Sequence, residues 1–253
     1  MSGFIELFLK SIPLGISNTL PGISGGTMAL ILKIFDRLVE GIKNINLKIL
    51  IPVFLGAASG VLISSKFVTV FLELYPDIVL AFLFGLILAS SKITAAEIDE
   101  IDIKKIILIF LGIFLAVIIS TEVSFQSGNK INLYLFFIGG FLGSMAMILP
   151  GISGGTILVL MGIYRPVLDA INNINIMVLF VFGTGLILGL LTVSRLISFF
   201  LKNYRSLIMA LLTGLILGSL YRVIPGVINI KIIVSFITGY LVIELMSRVN
   251  LSI

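Results

Sequence analysis

The sequence predicts an all-α polytopic membrane protein built from two homologous repeats, each carrying a re-entrant or broken helix. Three observations support this. Apolar residues make up 59% of the chain and charged residues 11%, with a mean hydropathy of +1.26, against roughly 45–50% and 25% in soluble domains. The long apolar runs, 106–119, 133–149 and 230–245 among them, lack the period-two alternation of a transmembrane barrel strand. The heptapeptide Pro-Gly-Ile-Ser-Gly-Gly-Thr occurs at 21–27 and again at 150–156.

The offset of 129 between the two copies holds without a gap from position 21 to 90, and about 27 of those 70 positions are identical. Asn44-Ile45-Asn46 matches Asn173-Ile174-Asn175, Gly56 and Gly60 match Gly185 and Gly189, and Gly85-Leu86-Ile87-Leu88 matches Gly214-Leu215-Ile216-Leu217. The chain reads as one membrane domain over 1–253, with repeat one at about 4–121, repeat two at about 133–250 and an acidic connector at 92–105.

Runs of about 17–25 apolar residues can cross a hydrocarbon core ~30 Å thick, and each half yields the same series. An opening helix at 4–19 is matched by 133–148, and the motif leads into a short helix at 24–35, matched by 153–164. A polar loop follows. Next come a long helix at 49–74 matched by 178–203, a Gly-containing helix at 77–91 matched by 206–220, and a weakly matched closing helix at 106–121 paired with 231–248. If each half crosses an odd number of times, the two are inverted relative to one another. At about 12 residues, or roughly 18 Å, the segment after each motif is too short to span. Irregular backbone at membrane depth persists only where protein or a water-filled cavity satisfies it, which points to a central site between the repeats. The first ten residues lack a basic n-region and a small-residue cleavage site, so no removable signal peptide is expected.

Cys, His and Trp are absent, which removes thiolate and imidazole metal sites, Cys or His catalysis and disulfides. No metal, cofactor or catalytic residue is expected. Lys+Arg 17 against Asp+Glu 12 comes without a basic cluster, so nucleic acid is not an expected partner. The heptapeptide itself suits an anion. Pro and Gly stop the preceding helix, Ser24 or Thr27 can cap the next, and Gly25 and Gly26 permit close backbone approach. Ser153, Gly154, Gly155 and Thr156 repeat the arrangement. Two such helix starts with free N–H groups could converge on one phosphate, although Pro-Gly and Gly-Gly also serve close helix packing.

Lys66 and Arg195 occupy equivalent positions inside the long apolar helices, where a cation is costly by about 2.5–3.5 kcal/mol and faces a cavity, a partner or the interface. Arg37 and Arg165, just beyond the motif helices, are candidates at the cavity mouth. Glu73, Glu122 and Glu244 lie near predicted helix ends.

The doubled heptapeptide, the Gly162-Ile163-Tyr164-Arg165-Pro166 continuation and the paired Gly-Leu-Ile-Leu helices resemble the PopT family of polyprenyl-phosphate transporters over nearly the whole chain. The resemblance implies a flippase of the cytoplasmic (inner) membrane. It would return undecaprenyl phosphate or a related carrier lipid to the cytoplasmic leaflet for reuse in cell-envelope synthesis. The implied contacts are Ser24 to Thr27 and Ser153 to Thr156. The first continuation departs from the pattern, reading Lys33-Ile34-Phe35-Asp36. A homo-oligomer and proton or sodium coupling are both compatible with this reading. Two alternatives stay open: a small-anion channel or transporter, and a polyprenyl-diphosphate phosphatase-like enzyme. The second lacks the Arg and acidic motif that would stabilise a phosphoryl transition state.

Overall fold

The computed structural model of the chain describes residues 2–18, 24–120 and 133–248, apart from the side chains at 2, 65–69, 72, 120, 165, 168, 172 and 246–248. The described elements are helical throughout. The first half comprises α1 (Ser2–Asn18), α2 (Gly25–Ile31), α3 (Phe35–Lys43), α4 (Leu47–Leu74), α5 (Pro76–Ala95) and α6 (Ile103–Ser120). The second comprises α7 (Leu133–Ile148), α8 (Gly154–Leu160), α9 (Tyr164–Asn172), α10 (Ile176–Asn203), α11 (Arg205–Ser219), a 3₁₀ turn (Leu220–Val223) and α12 (Ile230–Arg248). The bounds of α2, α3 and α4 recur in α8, α9 and α10 at the offset of 129, residue for residue. Among the described residues four segments are long and apolar enough to cross a membrane: Leu47–Ser64, Pro76–Ala95, Ile176–Asn203 and Arg205–Val223. The chain is a multi-pass membrane protein.

The repeated tripeptides set helix ends. Asn46 Oδ1 accepts from the Lys48 amide at 3.1 Å and Asn175 Oδ1 from the Val178 amide at 3.3 Å, so each asparagine caps its long helix. The preceding Ile45 and Ile174 take left-handed backbone, φ 50° and 49°.

Two sequence expectations are corrected here. The segment after each motif is not one short helix but two, α2 and α3 or α8 and α9, broken by a left-handed residue: Lys33 at φ 56° and Gly162 at φ 69°. In both breaks the next amide reaches back past the turn, Ile34 N to Ala29 O at 2.9 Å and Ile163 N to Leu158 O at 3.0 Å, which is a Schellman closure. The polar loop at 36–48 is therefore mostly helix. Phe35, Leu38, Val39 and Ile42 recur at helical spacing and turn one face inward, with Phe35 and Val39 buried. The acidic connector is shorter than expected, since Lys92 to Ala95 complete α5 and α6 begins at Ile103. Thr94 belongs to the interior, where Thr213 Oγ1 donates to its hydroxyl at 3.0 Å, and Asp102 Oδ1 accepts from the Lys105 amide at 2.9 Å to start α6.

Position 33 carries a side chain where its counterpart is glycine. Left-handed backbone costs a non-glycine residue roughly 1–2 kcal/mol, and Lys33 is exposed with no side-chain bond among the described interactions. Lys33→Gly is expected to raise unfolding stability in detergent by about 1 kcal/mol; an unchanged or lower midpoint would contradict this.

Helix contacts are set by glycines that a Cβ would displace. A Cβ on Gly56 or Gly60 would meet Phe8 O at 2.2 Å or Ile12 O at 2.1 Å, and one on Gly185 or Gly189 would meet Phe137 O or Phe141 O at 2.2 Å. α1 thus crosses α4 as α7 crosses α10. The closing helices are exchanged between halves: a Cβ on Gly85 of α5 would meet Phe236 O of α12, and one on Gly214 of α11 would meet Ile109 O of α6, each at 2.1 Å. α6 therefore packs on the second half and α12 on the first. α5 and α11 run antiparallel side by side. Asp77, at the start of α5, accepts from the Gly226 amide at 2.8 Å, and Ser206, at the start of α11, accepts from the Asp99 amide at 3.0 Å.

One polar seam ties α3 to the second half. Ser198 Oγ donates to Glu40 Oε2 at 3.0 Å, Lys202 stands 3.7 Å from Glu40 Oε1, and Arg205 bridges Asp36 at 2.7 Å and Glu97 at 2.6 Å. Hydrogen bonds from Asn44 and Ser198 hold the Glu40 carboxyl below the usual carboxylate range. Its contribution is present above the unfolded-state value and fades as pH falls through the lowered folded one. Among the described residues α9 has no comparable packing on α4, the equivalent helix pair.

Candidate functional site

The two motif copies meet, and they are used differently. In the first, Ser24 is the N-cap of α2 and accepts from the Thr27 amide at 3.2 Å. Its hydroxyl also donates to Leu149 O at 3.3 Å, while the Gly151 amide donates to both Ser24 Oγ and Thr27 Oγ1 at 3.1 and 3.0 Å. The first copy's hydroxyls are thus spent on the backbone of the second. All seven residues of α2 are buried, and a Cβ on Gly26 would strike Ile148 O at 2.3 Å. Gly151 has φ +79° and lies against Leu215 O of α11, which only glycine permits. Pro21, Gly22 and Ile23 lie outside the described residues.

In the second copy Ser153 makes no side-chain cap and is exposed, and of α8 only Thr156 is buried. The first amides of a helix have no intrahelical acceptor, so this end of α8 offers donors. It faces a cavity of about 600 Å³. Its lining combines polar residues, Asn18, Ser24, Ser153, Tyr164 and Arg222, with apolar ones, Val61, Met147, Leu158, Phe182 and Leu186. Arg222 Nη1 donates to Thr156 Oγ1 at 2.7 Å. With seven residues each, α2 and α8 have little macrodipole to contribute. The hydrogen-bond donors at this end of the cavity are local N–H groups, hydroxyls and the Arg222 guanidinium. Among the described residues no cluster of acidic side chains is placed to hold a metal ion.

The family model described as VCA0040-like, undecaprenyl phosphate translocase-like, matches residues 14–238, both motif copies included. The chain belongs to this translocase-like family. Two relatives are named polyprenyl-phosphate transporter. The one from Vibrio cholerae is 33% identical over 243 residues, covering 88% of this chain and 78% of its own. The one from Staphylococcus aureus is 28% identical over 271 residues, covering 96% and 95%. No solved structure matches. The family and both relatives are described as transporters, not enzymes, which sets aside the phosphatase-like alternative.

In this family member the expected site residues separate into groups. Ser24, Gly25, Ser153, Gly154 and Gly155 line the cavity. Gly26 and Thr27 serve the junction between the copies, and Thr156 reaches the cavity through Arg222. Arg195 is exposed on α10 and is not among the lining residues. Arg37 pairs with Glu6 at 3.4 Å. The side chains of Lys66 and Arg165 lie outside the described residues, as does Glu122. Glu244 pairs with Lys92 at 3.3 Å, and Glu73 is exposed at the end of α4.

Arg222 was not among the candidates. Its counterpart at the offset of 129 is Ile93, so a search for repeated features passes over it. The available signal was an arginine ending an apolar helix just before Pro225-Gly226. Asn18, opposite Met147 in the repeat, was missed for the same reason.

Proposed function

We propose that this chain carries polyprenyl phosphate, such as undecaprenyl phosphate, across the cytoplasmic membrane, returning the carrier lipid to the inner leaflet for reuse in envelope synthesis. The observation that carries the proposal is a cavity whose lining combines an arginine, hydroxyls and helix-start amides with large apolar side chains. Ser153, the amides opening α8 and Arg222 suit a phosphate head, while Val61, Phe182 and Leu186 suit the first prenyl units. Exposed Leu62, Ile63, Ile187 and Leu188 on α4 and α10 extend that apolar surface towards lipid. The family membership and the relatives' names support the same substrate class. Head-group contact falls to Ser153, the α8 amides and Arg222 rather than to the exposed Arg195.

Transport then follows from exchange between two inverted repeats within one membrane domain, with the motif segments as the broken helices. The antiparallel α5 and α11, equivalent in sequence, support the inversion. The docking of α3 on α10, unmatched by α9 on α4, supports a conformation closed on one side. Salt bridges at this exposure contribute about 1 kcal/mol at most, so Arg205→Ala is expected to shift the balance of states up to about fivefold. Spin labels at Leu62 and Ile171 report it by electron–electron distance, and an unchanged distribution would argue against the seam as a latch.

Native mass spectrometry tests the substrate. With polyprenyl monophosphate, its diphosphate, neutral polyprenol and inorganic phosphate in competition, selective retention of the monophosphate lipid is expected. Displacement by inorganic phosphate, with no lipid preference, would favour a small-anion transporter.

A further inference from the structure

We infer that Arg222 recognises the head-group charge and sets the preference for a monophosphate, with Thr156 as its positioning residue; this rests on the lipid-phosphate reading above. Arg222 sits on the 3₁₀ turn that follows α11 and lines the cavity. Among the described residues it forms no ion pair, whereas Arg37 and Arg205 both have carboxylate partners. A partly buried guanidinium without a carboxylate is an incomplete arrangement: it has five N–H donors in a rigid fork, and Thr156 Oγ1 takes one. An anion entering beside Ser153 and Gly155 supplies the missing acceptors, as a phosphate does in bidentate contact with arginine.

Among the described residues the first motif copy has no counterpart of this cation. Thr27 Oγ1 accepts from the Gly151 amide and pairs with Ser24 Oγ, so the first copy's hydroxyls are engaged in the junction between the copies, and the residue equivalent to Arg222 is Ile93. The neighbouring Lys92 is directed to Glu244. One described cation therefore lines the cavity. A single guanidinium matches a phosphate monoester of one to two negative charges, while a diphosphate would bring further charge into the cavity without a second described cation to meet it.

Retention of polyprenyl monophosphate, polyprenyl diphosphate and polyprenol is to be compared by native mass spectrometry for wild type, Arg222→Gln, Arg222→Lys, Thr156→Val and Thr156→Ser. Losing a charged hydrogen-bond partner lowers affinity by about ten- to a hundredfold. Arg222→Gln is expected to lose monophosphate by that factor and keep polyprenol, which also reports an intact fold. Arg222→Lys keeps the charge but not the fork and falls between. Thr156→Val weakens monophosphate retention, and Thr156→Ser restores it. Wild-type monophosphate selectivity in Arg222→Gln, or in Arg222→Lys and Thr156→Val should the glutamine variant not fold, would overturn the role of Arg222 while leaving the lipid reading standing. No preference for monophosphate over polyprenol in the wild type would overturn both.

Discussion

Leucine in place of Gly155 is expected to abolish lipid transport while leaving the protein folded. Gly155 lies in the first turn of α8, and a Cβ there meets nothing closer than Ser153 Oγ at 3.7 Å and Tyr164 Cε2 at 3.9 Å. Replacing a helical glycine gains about 0.5–1 kcal/mol of local stability, so the melting temperature should hold or rise. The added side chain enters the space assigned to the phosphate, and flux in proteoliposomes should fall to background. The neighbouring motif glycines differ. A Cβ on Gly154 would stand 2.5 Å from Gly143 O and one on Gly26 2.3 Å from Ile148 O, so Gly154→Ala and Gly26→Ala should fail through lost stability. Wild-type flux in Gly155→Leu would remove the second motif from the substrate path.

Gly60→Ala is expected to be among the most damaging single methyls in the membrane-spanning helices. The new carbon would fall 2.1 Å from Ile12 O and 3.0 Å from the Ile16 amide, and backbone cannot yield as a flexible side chain can. Overpacking of this kind costs about 1–3 kcal/mol or more, and close backbone approach is what holds apolar helices together in lipid. Gly189→Ala should behave alike, since Phe141 O and Ser144 Oγ both lie 2.2 Å from its Cβ position. Gly183, on the same helix as Gly189, has nothing within 4 Å, and Gly183→Ala should be neutral or stabilising. Unfolding midpoints in detergent would establish the order; equal effects at Gly60 and Gly183 would refute the crossing.

These glycines also mark what the sequence could and could not reveal. Gly56, Gly60, Gly185 and Gly189 were legible as a repeated spacing because packing demands of that kind act within each half. Asn46 and Asn175 were legible because a helix cap is a local chemical requirement. The exchange of α6 and α12 was not, since Gly112 and Gly239 contact helices of the opposite half, and position 239 falls two residues short of the offset that holds elsewhere. α3 was hidden by Asp36, Arg37, Glu40 and Lys43, although Phe35, Leu38, Val39 and Ile42 carried its period. The site's asymmetry had no trace in two identical heptapeptides. It arises from the different surroundings of Ser24 and Ser153, and Arg222 follows from the same asymmetry.

The most direct test is transport itself. Wild-type protein in proteoliposomes loaded with polyprenyl phosphate would be exposed to an external, membrane-impermeant phosphatase, with chloride and phosphate efflux followed in the same vesicles. Complete digestion of the lipid pool, against about half in protein-free vesicles and without ion efflux, is the expected result. Digestion that stops at the outer-leaflet fraction, or rapid ion efflux without lipid movement, would contradict a lipid-phosphate transporter.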